Sequence, residues 1–172
     1  MASAVIFPAW DKALVVGRAD LDAVIAAALS EPRRRARLCL HHGPEDAVQE
    51  MLIALAPGCY IRPLRQAGAE KSYVLVRGRL RLGFFGDGGD LDRVIDLAAG
   101  VDIAARFDAT PWHTTVPVGG EVAAYVETIR GPYHPAGTEW APWAADEGDS
   151  AGRQALLDRV MAAQAGSAMS AR

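Results

Sequence analysis

The sequence predicts an all-β core with one helix before it and one after it. Three observations lead there. Short segments rich in β-branched residues, Leu and aromatics recur across the middle of the chain, at residues 36–41, 48–55, 60–62, 72–76, 79–85, 90–97, 101–106, 113–116 and 122–129. Turn signals separate them: Ala56-Pro57-Gly58, Arg77-Gly78, Gly86-Asp87-Gly88-Gly89, Ala98-Ala99-Gly100, Thr110-Pro111 and Val118-Gly119-Gly120. Helical periodicity, in contrast, is confined to the two flanks. Many short strands at this spacing make a sandwich or a barrel.

The first 35 residues form an N-terminal strand and helix extension. Its helix is expected over 20–30, where Leu21, Val24, Ile25, Ala28 and Leu29 share a face. Asp20 and Asp22 suit the positive end of its dipole, and Pro32 stops it. The barrel occupies 36–148, and a C-terminal helix and tail occupy 149–172. Ser150 caps that helix, Leu156, Leu157, Val160 and Met161 form its stripe, and Gly166 ends it near residue 164. The tail 167–172 is expected to fray. The Gly86–Gly89 run joins two strands, so it reads as a hairpin loop and not as a nucleotide cradle.

Composition narrows the function classes. The chain has 172 residues, 51% hydrophobic and 23% charged, which fits one ordinary domain and excludes disorder. Eighteen Lys and Arg stand against 21 Asp and Glu, a net charge of −3, so the basic excess of a general nucleic-acid binder is missing. Only Lys12 and Lys71 are lysines. The two cysteines, Cys39 and Cys59, have neither the number of a disulfide framework nor the spacing of a zinc site. Residues 1–10 do not resemble a signal peptide, and no window approaches the ~20 apolar residues of a membrane span. The expectation is a cytoplasmic, single-domain protein with no nucleic-acid or membrane partner.

Several stretches, in order, carry a family resemblance. They are residues 48–63, which end in Ala56-Pro57-Gly58-Cys59-Tyr60-Ile61-Arg62-Pro63, then Leu75-Val76-Arg77-Gly78-Arg79-Leu80, then Pro111-Trp112-His113-Thr114. Arg130-Gly131-Pro132-Tyr133-His134-Pro135 and Ala141-Pro142-Trp143-Ala144 follow. Together, over about residues 33–148, they resemble the WbuC-type cupin-fold metalloproteins. The resemblance implies a double-stranded β-helix, or jelly-roll barrel, with its site inside. A divalent transition metal is the default cofactor of that family, held by three imidazoles and a carboxylate. Here the expected His-x-His after Gly58 is Leu64-Arg65-Gln66, and the carboxylate position six residues before Gly78 holds Lys71. His113 alone stands where the family has a ligand. Leu64, Gln66, Lys71 and His113 are therefore vestigial metal positions, and no cofactor is expected. His41, His42 and Glu70 are the residues that would have to rescue a metal site.

The candidate ligand-binding residues are Arg62, Gln66, Lys71, Tyr73 and His113, with His113 as the catalytic candidate. An inward Lys71 needs an anionic partner or a lowered pKa. Convergence of Arg62, Arg65 and Arg106 on it would make an anion pocket. Tyr73 shares a strand face with Lys71, and Tyr125 and Glu127 alternate on the last strand as weaker candidates. His134 sits in a turn, and Trp112, Trp140 and Trp143 read as core anchors. Three functions remain open. The first is a metal-depleted cupin that binds a small polar or anionic, sugar-like ligand. The second is an isomerase, epimerase or lyase on a sugar-derived substrate, because WbuC-like proteins accompany bacterial surface-polysaccharide gene clusters. The third is a structural dimer with a vestigial cavity. A homodimer is expected in any case, since Val74 and Val76 fall opposite Tyr73 and Leu75 and point out of the barrel.

Overall fold

Alternation decides the architecture, because each strand that must bury one face needs a second layer to bury it against. In a computed structural model that describes residues 4–164, the chain forms eleven strands and two α-helices. Strands β1 (Ala4–Ile6), β2 (Arg35–Cys39), β3 (Val48–Leu55), β10 (Ala123–Arg130), β5 (Glu70–Arg77) and β8 (Ala104–Asp108) lie side by side in the first sheet. The second sheet runs β11 (Glu139–Trp140), β4 (Leu64–Arg65), β9 (Trp112–Pro117), β6 (Arg79–Phe85) and β7 (Leu91–Ala98). All pairings are antiparallel except β1 with β2. The order places sequence-distant strands next to each other, β10 between β3 and β5, and β9 between β4 and β6. That is a jelly roll.

Three apolar clusters hold the layers together. Between the sheets, Leu55, Tyr73, Leu75, Ala123 and Tyr125 of the first sheet meet Leu80, Leu82 and Leu97 of the second. Outside the first sheet, α1 (Arg18–Ser30) lays Val24, Ile25 and Ala28 on Ala36, Leu38, Leu52 and Ala54. Outside the second, α2 (Ser150–Ala162) lays Leu156, Leu157 and Val160 on Phe85, Trp112 and Val116. Leu29 and Met161, expected on these helical stripes, lie in the last turns and stay exposed. No helix among the described residues is long and apolar enough to cross a membrane.

Several boundaries differ from the sequence-based expectation for physical reasons. Residues 60–62 are not a strand; the pairing strand is β4, two residues further on. Side chains take the carbonyls that a ladder would use: Arg35 donates to Tyr60 O (2.9 Å) and Thr114 to Ile61 O (2.6 Å). The strand expected at 101–106 begins at Ala104, because Val101 and Asp102 close the preceding turn by hydrogen bonds with Ala98. Asp149, and not Ser150, caps α2, accepting from the Gly152 N–H at 3.0 Å. The expected stop at Gly166 and the tail 167–172 lie outside the described residues. Gly78 turns the β5–β6 hairpin at φ +75°, where a Cβ would sit 2.3 Å from the Val122 carbonyl oxygen, so only glycine fits.

One side chain fastens α2. Arg81, on β6, makes a bidentate pair with Asp96 on β7 (2.6 and 2.7 Å). Its remaining nitrogen donates to the carbonyls of Val160, Met161 and Ala163 at 2.8–3.0 Å. These are the carbonyls that a helix end leaves without intrahelical partners. Replacing Arg81 with Ala is expected to lower stability by about 2 kcal/mol in urea unfolding, with faster amide exchange concentrated in residues 150–162. A uniform loss of protection across the whole chain would count against this clamp.

Candidate functional site

Strand alternation brings a set of polar side chains to the space between the sheets. Lys71 and Tyr73 point inward from β5, Tyr125 and Glu127 from β10, and His113 and Thr115 from β9. Leu64 sits opposite His113 in the β4–β9 ladder, and Gln66 follows it. All of these line one cavity of about 640 Å³. It opens between the β1–β2 edge, with Phe7 and Arg37, and the segment leading into β11, with Tyr133, Thr138 and Trp140.

Lys71 is the centre of its electrostatics. The residue is 5% exposed, and its Nζ lies 3.5 Å from Oε1 of Glu127, itself 9% exposed. The two stand on neighbouring strands one step apart on the inner face, since Lys71 pairs with Ile129 and Tyr73 with Glu127. The Tyr73 phenol faces Glu127, Thr115 and Tyr125. Burial, then the Glu127 charge, holds the Tyr73 phenol well above its usual range. Rings close the rest of this end: Tyr73 meets Phe107 edge-on at 5.2 Å, and Phe107 meets His113 edge-on at 5.3 Å.

His113 is 2% exposed. Its Nδ1 lies 2.9 Å from the Pro111 carbonyl, which can only accept, so Nδ1 carries the proton and Nε2 presents a lone pair. Burial, and then the nearby Lys71 ammonium, pushes His113 down to about 3. Nε2 is buried without a hydrogen-bond partner among the described residues. Gln66 is in the same condition: its Nε2 donates to Thr138 Oγ1 at 3.0 Å, while Oε1 is buried and unpartnered.

The other candidates go elsewhere. Arg62 does not reach the cavity; its guanidinium donates to the Ala141 carbonyl (2.8 and 3.1 Å) and pairs with Asp146, so it fastens the C-terminal segment. Arg65 pairs with Glu139 (2.8 Å) and stacks on Trp112, and Arg106 pairs with Glu70 at the exposed edge. The anion pocket expected from Arg62, Arg65 and Arg106 is therefore not formed. Glu70 is occupied by Arg106. His42 stacks on Trp10 outside the cavity, and His41 lines the mouth with Nδ1 engaged by the Glu50 backbone. Trp112 is a buried anchor whose indole N–H donates to Asp87 (3.1 Å), whereas Trp140 is half exposed at the cavity mouth.

The divalent metal implied by the cupin resemblance does not fit this donor set. Leu64 has no donor atom, Lys71 brings a positive charge to the carboxylate position, and Glu127 is committed to that charge. Among the described residues, no group of three or more His, Cys, Asp or Glu could hold a metal ion.

Comparison with solved structures agrees with the layered topology. One oxalate oxidase in complex with glycolate superposes with a TM-score of 0.51 at 21% identity, covering 66% of this chain and 58% of its own. A second, in complex with the substrate analogue glycolate, gives 0.52 at 20% identity, covering 78% and 69%. Both are cupins. The fold here is a cupin fold. At these identities the likeness extends to the fold alone, and the chain spans little more than half of the first cupin. Residues 16–97 match a family described as a domain of unknown function, DUF6016. No curated protein matches the sequence.

Reasoning from sequence overlooked Arg37 and Thr115 at the cavity and ranked Glu127 too low. The signal for Arg37 was present: Ala36 and Leu38 alternate with Arg35 and Arg37, so once α1 covers the apolar set the arginines must face inward.

The His113 shift has a pH consequence. Its folded value of about 3 lies below the ordinary 6.5, so on acidification the unfolded chain takes up the proton first. The stability contribution is complete above pH 6.5 and is lost as pH falls toward 3. The unfolding free energy from urea titrations should fall between pH 6.5 and 4.5 by up to about 1.4 kcal/mol per pH unit, and His113→Gln should flatten that slope. An unchanged slope in the variant would contradict a buried neutral imidazole.

Proposed function

We propose that this cupin-type chain holds a small hydroxyl-bearing, sugar-like ligand in its cavity, without the metal usual for such folds. The observation that carries the reading is the pair of buried, unpartnered acceptors, His113 Nε2 and Gln66 Oε1, beside the Lys71 ammonium. Leaving a buried acceptor unmade costs about 1–3 kcal/mol, a cost that ligand hydroxyls donating to both would remove. Lys71 in turn donates to a ligand oxygen. Because Glu127 balances Lys71, the deep end favours a neutral hydroxyl group over a bare anion. Kinship with WbuC-type proteins, and through them with surface-polysaccharide chemistry, is part of this proposal and rests on the motif order alone.

The enzyme reading gains less support. A general base works best with a pKa near the operating pH, and His113 at about 3 holds a proton too weakly to take one efficiently from a sugar carbon. The proposal also includes a homodimer. Val74 and Val76 are 42% and 45% exposed on the outer face of β5, beyond the area that α1 covers. A monomer by sedimentation velocity at micromolar concentration would refute that part.

Calorimetric titration with hexoses, pentoses and inositols is expected to find saturable binding at one site per chain. Gln66→Leu and His113→Leu should each weaken it by about tenfold while changing thermal stability little, since each removes one unsatisfied polar atom and one hydrogen bond. If none of these compounds saturates the protein, or if binding survives both substitutions, the reading fails.

A further inference from the structure

The deep end of the cavity is electrically balanced, but its mouth is not. Inward-facing residues of β2 place Arg35 and Arg37 on the cavity wall, and Arg33 precedes them. Arg33 and Arg35 share the Glu147 carboxylate, the latter at 2.9 Å, and Arg35 also donates to Tyr60 O. Arg37 differs. It is exposed on the wall of the mouth, and among the described residues no carboxylate pairs with it.

Register fixes where Arg37 stands on the first sheet relative to Tyr125, Glu127 and Lys71. It pairs with Ile53 on β3, which pairs with Tyr125 on β10. Arg37 is therefore two strands, about 10 Å, from the Tyr125 position, and Glu127 is the next inward residue along β10. Lys71, on β5, is one strand further and four residues along from that level. When both long side chains reach toward the ligand, one ring and one substituent bridge Arg37 and the buried site. The cavity of about 640 Å³ has room for both, being within the ~300–1,000 Å³ usual for ligand sites. A planar guanidinium without a carboxylate partner suits a carboxylate or phosphate, which it binds by two parallel hydrogen bonds.

We propose that the ligand carries one acidic group, a phosphate or a carboxylate, opposite its buried hydroxyls, and that Arg37 binds it at the mouth. This rests on the reading of the cavity as a hydroxyl-binding site and adds the ligand's charge and orientation. The buried hydroxyls sit among His113, Gln66 and Lys71, and the acid faces solvent beside Arg37.

The experiment uses matched probes: glucose, galactose and mannose, each titrated beside its 1-phosphate and its uronic acid. Wild type, Arg37→Gln and Arg37→Glu are compared at low and high salt. At least one acid-bearing member should bind about tenfold more tightly than its neutral parent at low salt, and less so at high salt. Arg37→Gln should erase that preference and leave the neutral parent unchanged; Arg37→Glu should reverse it. The phosphate and uronate arms identify which acid the site takes. Equal affinity for the neutral and acidic members overturns the inference and leaves the hydroxyl site standing. A preference that persists in Arg37→Gln also overturns it and moves the anion contact to Lys71. Binding of no member overturns both readings.

Discussion

The interior of this cupin depends on one buried ion pair, Lys71 with Glu127 across β5 and β10. A lone ammonium in this space would be costly, and so would a lone carboxylate. Together they let a charged end form inside a β-sandwich, and the neighbours arrange around them. The Tyr73 phenol stands beside the carboxylate, and the ammonium charge helps keep His113 neutral with its lone pair facing the cavity. The two charges also constrain each other's substitution. Changing Lys71 alone strands a buried carboxylate, and placing Glu at that position puts two carboxylates side by side. A path from this interior to a metal centre must therefore move both positions, beyond supplying the missing imidazoles.

Much of the architecture was legible in the sequence because strand period and turn chemistry are local. The expected strands at 48–55 and 79–85 match β3 and β6 at both ends. What escaped was set by tertiary partners. The segment 60–62 alternates like a strand but yields its carbonyls to Arg35 and Thr114, which no local pattern reveals. Strand β11 is two residues long and exists because β4 lies beside it.

The site divides along the same line. Motif order led to Leu64, Gln66, Lys71 and His113, and all four line the cavity. For the arginines, abundance hid the assignment, because each candidate had an acidic or carbonyl partner that only the folded chain brings near. Arg62 found Asp146 and the Ala141 carbonyl, Arg65 found Glu139, and Arg106 found Glu70. Arg37 was singled out by subtraction, once Glu147 was seen to serve Arg33 and Arg35.

The Arg81 clamp bears on the order in which the chain assembles. Its pair with Asp96 belongs to the local β6–β7 hairpin, so the guanidinium is oriented as soon as that hairpin forms. Helix α2 begins more than fifty residues after Asp96, carries a glycine in its first turn and depends on this side chain for its terminal carbonyls. Docking of α2 is therefore expected to follow formation of that hairpin. A clamp formed after the transition state would act on the unfolding rate, lengthening the life of the native chain without hastening its formation.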